Sequence, residues 1–103
     1  MKYVEIQAIR LICEGAFKER ILKKVEQLGA VGYTWWEAHG KGQHEIIANP
    51  FNGLDRVYVE IWCPQEVCDR IVEHFDGAEY HNQGLTIGAE TLKVSEKEAS
   101  KYL

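Results

Sequence analysis

The sequence has no basic stripe, no long apolar run and no Cys-x-x-Cys pair. Lys and Arg number 12 against 16 Asp and Glu, for a formal net charge of −4. The cations that do gather, Lys18, Arg20, Lys23 and Lys24, are interleaved with acids, which is the pattern of a solvated helix face. Nothing here supplies the positive footprint that nucleic-acid binding needs. No stretch approaches the roughly 18 uninterrupted apolar residues of a membrane-spanning helix. Glu5 falls inside the first apolar segment, unlike a secretory signal. Cys13, Cys63 and Cys68 are an odd set, ill suited to the even disulfide framework of a small secreted domain. A reduced, cytoplasmic setting is the expectation.

What the chain does have is a core. Its 103 residues are 46% hydrophobic, enough for a single domain, 1–103, yet so short that oligomerisation is expected. Tyr3 to Cys13 alternates loosely, with Val4, Ile6 and Ala8 opposite Tyr3, Glu5 and Gln7, and reads as a strand. From Ala16 the period becomes helical: Phe17, Ile21, Val25 and Leu28 share a face, and Gly29 ends the helix. Val31 to Ala38 is aromatic and β-branched, a second strand. An irregular stretch, Gly40 to Asp55, follows. Val57, Val59 and Ile61 alternate with Tyr58, Glu60 and Trp62 in a third strand. Pro64 suits the first position of a helix whose stripe is Val67, Ile71 and Phe75, closed by Gly77. Gly84 to Val94 is the last strand, and Ser95 with Glu98 fits a capping box.

The order βαββαβ is that of an α+β, ferredoxin-like sandwich, with two helices on one face of a four-stranded antiparallel sheet. Tyr3, Tyr58 and Trp62, beside Glu5, Gln7 and Glu60, are expected on the uncovered face. Aromatics there point to a subunit interface. Trp35 and Trp36, adjacent on a strand, are expected to face opposite ways, one under a helix and one in the interface.

A loop of this length between the second and third strands of so small a domain is more often functional than accidental. Gly32-Tyr33-Thr34 opens the strand before it, and Gly40-Lys41-Gly42-Gln43 follows that strand's end. Glycines let backbone N–H groups approach a ligand, and Lys41 adds positive charge, a combination suited to phosphate oxygens although not a Walker pattern. Phe51, in the turn-rich tip Asn49-Pro50-Phe51-Asn52-Gly53, is the candidate for partner docking.

Gly32-Tyr33-Thr34 with Gly40-Lys41-Gly42 resembles the paired glycine signature of PII and PII-like signal transducers. It is most similar to the bicarbonate-associated branch, the SbtB-like and carboxysome-associated PII-like proteins. Val59-Glu60-Ile61-Trp62 sits where that family has its V-E-I-V strand. The resemblance implies a homotrimer with sheets facing inward and an adenine nucleotide in each intersubunit cleft. Carried over, Gly32, Tyr33 and Thr34 reach the adenine and ribose, while Gly40, Lys41, Gly42 and Gln43 reach the phosphates. Glu60, Ile61 and Trp62 frame the base, partly through backbone groups, and Gly84 approaches from the start of the last strand. The segment from Gly42 to Asp55 corresponds to the T-loop, which docks on a target protein; for this branch that implies a bicarbonate transporter or a carbon-fixation component. Bicarbonate is the implied second ligand, on Lys41, Gly42 and Gln43.

The chain departs from the ordinary PII pattern in its late cations. Gln43-His44 replaces Arg-Gln, Leu85 stands where a lysine is expected, and no arginine follows Arg70, leaving Lys93, Lys97 and Lys101. Fewer fixed charges imply that ADP or AMP binds at least as well as ATP. The T-loop-like segment lacks the modified tyrosine, and the C-terminus lacks the C-G-x-x-x-C hairpin of many SbtB proteins.

Two other classes bear comparison. A divalent-metal-handling ferredoxin-like trimer, resembling the cation tolerance proteins, would rest on His39, His44 and the cysteines, with Cys63 or His81 completing a site, but the spacing of His39 and His44 is not a zinc signature. A small ferredoxin-like enzyme lacks an acid–base constellation, since Glu96 and Glu98 belong to a solvated helix. The expectation is a regulatory protein with no catalytic residue, no metal and no catalytic cofactor.

Overall fold

Strand β1 (Tyr3–Glu14) is the spine of the molecule and pairs on both sides. In the computed structural model, which describes residues 2–39, 56–80 and 84–103, β1 lies antiparallel to β3 (Arg56–Cys63) and to β4 (Thr86–Ser95). β2 (Thr34–Ala38) pairs with β3, giving one four-stranded sheet in the order β2-β3-β1-β4. Helices α1 (Lys18–Gln27) and α2 (Gln65–Phe75) pack on one face. A short third helix, α3 (Glu96–Ala99), contacts β1 and β4. This is the ferredoxin-like sandwich that the element order implies.

The core lies between the helices and the sheet. Ile9, Leu11 and Cys13 of β1 and Val57, Val59, Ile61 and Cys63 of β3 meet Ile21, Leu22 and Val25 of α1 and Val67, Cys68, Ile71 and Phe75 of α2. Each fully buried branched side chain contributes on the order of 1.5–3 kcal/mol relative to exposure. Helix α1 ends in a Schellman motif: Ala30 N–H donates to Val25 O (3.0 Å) and Gly29 N–H to Glu26 O (3.1 Å), with Gly29 at φ +115°, a conformation that glycine adopts without penalty. Arg70 of α2 adds a bond from Nε to Leu28 O at 3.1 Å. Pro64 is the N-cap of α2 rather than its first helical residue. Its carbonyl accepts from Val67 and Cys68 N–H.

Pairing settles which residues share a face. Cα partners Gln7 and Cys63, Ala8 and Trp62, Arg10 and Glu60, and Ile12 and Tyr58 point the same way in each pair. Trp62, Glu60 and Tyr58 therefore share the far face with Val4, Ile6, Ala8, Arg10 and Ile12. Tyr3, Glu5 and Gln7 belong to the helix side, a correction to the expected grouping: alternation within each strand is local, but the register between strands is not. Ile6 and Ala8 are buried on the far face although α1 and α2 are elsewhere, because α3 lies there and Ala99 is buried with them. The far face is thus open only in part.

Candidate functional site

The cleft forms where a strand stops early. Continuing the register Thr34↔Glu60 would set Gly32 against Trp62, but pairing ends at Thr34. The chain from Val31 to Tyr33, expected as strand, is not part of the sheet, and the Tyr33 phenol lies near Glu26 and Glu19 of α1. The gap is a cleft of about 320 Å³ lined by Gly32, Tyr33, Thr34, Glu60, Trp62 and Tyr102. Among the described residues, a Cβ added at Gly32 would meet nothing within 4 Å, so packing against them does not require a glycine there.

Inside the cleft, aromatic surface surrounds a carboxylate. Trp62 and Tyr102 have ring centroids 5.4 Å apart with planes at 57°. Arg10 Nε donates to Glu60 Oε1 at 3.2 Å, and its Nη2 pairs with Glu90. The Glu60 hydrogen bond is the leading influence raising the Arg10 pKa. Burial, then the Glu26 and Glu19 carboxylates, pushes the Tyr33 phenol up, so it stays a neutral hydrogen-bond donor. Next to Glu60 on the far face, Trp36 stacks on Tyr58 at 4.4 Å. Trp35 points the other way but is partly exposed, not packed under a helix, with Lys18 Nζ 3.7 Å from its ring centre.

Of the residues nominated from sequence, Gly32, Tyr33, Thr34, Glu60 and Trp62 come together here. Ile61 does not: its side chain is fully buried on the helix side, because strand alternation turns it away from its two neighbours. Only its backbone remains near the cleft. Gly84 stands at the other end of the sheet. At φ +66°, a Cβ on it would lie 3.3 Å from Glu14 Oε1, and Glu14 pairs with Arg56, six residues from Trp62 along β3, or about 20 Å. Gly40, Lys41, Gly42, Gln43 and Phe51 lie outside the described residues.

Arg10 and Tyr102 were missed. Arg10 left a signal, a charge between apolar neighbours in a central strand. Tyr102 left none, because its contact with Trp62 is long-range.

The thiols are core groups. Burial is the main cause that pushes Cys13 up to about 11 and Cys63 to about 12, and Cys68 also rises. Such thiols are poor nucleophiles at neutral pH. Among the described residues no group of three or more His, Cys, Asp or Glu could hold a metal ion. His74 shares a 2.9 Å hydrogen bond with Tyr80 Oη, His39 is exposed, and His44 and His81 lie outside the described residues. Among the described residues no helix is long and apolar enough to cross a membrane.

The fold is the ferredoxin-like sandwich of PII proteins, with a small aromatic cleft beside a sheet edge. The chain belongs to the nitrogen regulatory protein P-II family, whose description matches residues 6–95, and is a PII-like regulatory protein. Among solved structures it is similar to a PII-like signalling protein from Thermus thermophilus (TM-score 0.79, 23% identity, covering 100% of both chains). It is also similar to CPII from Thiomonas intermedia, a nitrogen regulatory PII-like protein bound to ADP, AMP and bicarbonate (TM-score 0.77, 21% identity, 92% of this chain and 98% of that one). GlnK of B. subtilis in complex with ATP is more distant (TM-score 0.62, 15% identity, 85% and 82%). At these identities the likeness concerns the fold. No curated protein matches the chain.

Proposed function

We propose that the chain is a cytoplasmic, non-catalytic subunit that senses adenine nucleotides, with ADP or AMP bound at least as well as ATP, in clefts between the copies of a homotrimer. The observation that carries this reading is the meeting of Gly32, Tyr33, Thr34, Glu60 and Trp62 in one cleft. Aromatic rings suit a flat base. The Glu60 carboxylate, an acceptor only, suits an exocyclic amine.

The split geometry supports a shared site. Gly84, assigned to the nucleotide from the start of the last strand, stands about 20 Å from the cleft along β3. One nucleotide joins the two halves most simply when they come from different copies. Arg10, Glu90, Trp36, Tyr58 and Gly88, where a Cβ would meet none of the described residues within 4 Å, give the far face a surface on which a neighbouring copy can sit.

The finer parts follow the bicarbonate-associated resemblance: bicarbonate at Lys41, Gly42 and Gln43, a T-loop-like segment from Gly42 to Asp55 presenting Phe51 to a target, and a role in inorganic carbon metabolism. That CPII was solved with ADP, AMP and bicarbonate favours this ligand set.

Isothermal titration with ADP, AMP and ATP, with and without bicarbonate, tests the reading. Saturable binding with ADP or AMP at least as tight as ATP is expected, and bicarbonate should alter the affinity. No heat and no melting shift with any adenine nucleotide would overturn it. An ADP affinity indifferent to bicarbonate, with no heat from bicarbonate itself, removes that ligand alone.

A further inference from the structure

Tyr102 sits beyond a helix too short to hold itself. α3 is a single turn, Glu96–Ala99, and isolated turns of that length are not stable in water. Its first turn is capped locally, where Glu98 N–H donates to Ser95 Oγ at 3.2 Å, and it is seated on the rest of the fold where Glu96 N–H donates to Lys2 O at 3.0 Å and where Ala99 is buried near Ile6 and Ala8. Tyr102 N–H then donates to Ala99 O at 3.0 Å. The result places the Tyr102 ring against Trp62, with both rings lining the cleft beside Glu60. Two rings tilted by 57° make a corner, not a closed stack, so each keeps ring surface that its partner does not cover. Gly32, where a Cβ would meet none of the described residues within 4 Å, leaves room on the same cleft.

We propose that Tyr102 is a ligand-contacting residue that, with Trp62, forms an aromatic corner for the nucleotide base and makes the seating of α3 part of the binding site. This rests on the nucleotide reading above and adds a residue and a coupling to it. A base on an aromatic ring is sequence-tolerant in its chemistry and sensitive to loss of the ring.

The test is ADP titration of the full chain and its Tyr102→Phe and Tyr102→Ala variants, with amide hydrogen exchange of residues 96–103 in the wild type. Stacking predicts that Tyr102→Ala weakens ADP by roughly 5- to 150-fold and that Tyr102→Phe stays within about twofold, the ring being kept. ADP should slow exchange in α3, a change that a wall residue without ligand contact would not produce. Equal ADP affinity in wild type and Tyr102→Ala overturns this inference alone, as does an equal loss in Tyr102→Phe and Tyr102→Ala. Wild-type protein that binds no adenine nucleotide overturns the reading beneath it and this one together. Far-UV circular dichroism confirms that the variants fold; if Tyr102→Ala does not, Tyr102→Leu, which keeps apolar bulk but no ring, takes its place with the same loss of ADP affinity expected and the same equality with wild type overturning the inference.

Discussion

Arg10 Nε lies 3.2 Å from Glu60 Oε1, so the carboxylate of the cleft is held from the neighbouring strand. The same guanidinium pairs with Glu90 of β4, which ties β3, β1 and β4 together across the far face. Arg10 thereby positions Glu60 without lining the cleft itself.

Arg10→Met should therefore weaken ADP binding more than it weakens the fold. Loss of one orienting hydrogen bond predicts an affinity roughly two- to tenfold lower, with little change in melting temperature, since exposed ion pairs contribute little to stability. Calorimetric titration beside a melting curve separates the two.

Ile61 predicts the opposite split. Its fully buried side chain makes Ile61→Ala a core truncation, costing about 2–5 kcal/mol of stability. Because the side chain points away from the cleft, ADP affinity of the folded variant should stay near wild type. Denaturant unfolding and titration of the same sample check both halves.

Gly29→Ala should destabilise the chain by about 1–2 kcal/mol, the cost of left-handed backbone for a residue with a Cβ. The added methyl would also stand 2.9 Å from Arg70 Nη2, disturbing the bond from Arg70 to Leu28 O. A lowered midpoint in urea, with unchanged slope, is the expected result.

The buried thiols set an alkaline limit. Cys13 and Cys63 are raised from an ordinary 9.0 to about 11 and about 12, so the folded chain keeps protons that the unfolded chain releases. The stability they contribute is whole below about pH 9 and is lost as pH climbs through 11 and 12. Melting temperature measured from pH 7 upward should stay flat with respect to these groups and then fall across that window. Thiol labelling at neutral pH should be slow in the native protein and complete in denaturant.

The core was legible because its signals are local. Ile21 and Val25 repeat at helical spacing, and Val57, Val59 and Ile61 repeat every second residue. The far face was misassigned at Tyr3, Glu5 and Gln7 because the register between β1 and β3 depends on contacts some 50 residues apart, such as Arg10 with Glu60. The early end of β2 was hidden for a related reason. Val31 and Tyr33 have strand propensity, yet they leave the sheet where the cleft opens. Glu60 and Trp62 were nominated with Ile61 as a run, and alternation then divided the run between two faces.

The central claim is that one nucleotide site is divided between two copies of this chain, and complementation between two defective variants tests it most directly. Trp62→Ala removes the cleft half and Gly84→Asp sets a carboxylate in the half at the other end of the sheet, so each variant alone should bind ADP weakly or not at all. After co-refolding in equal amounts, random trimers should regain wild-type ADP affinity in about a quarter of their sites. Two variants that each fail alone and recover nothing when mixed would contradict a shared site and confine binding to a single chain.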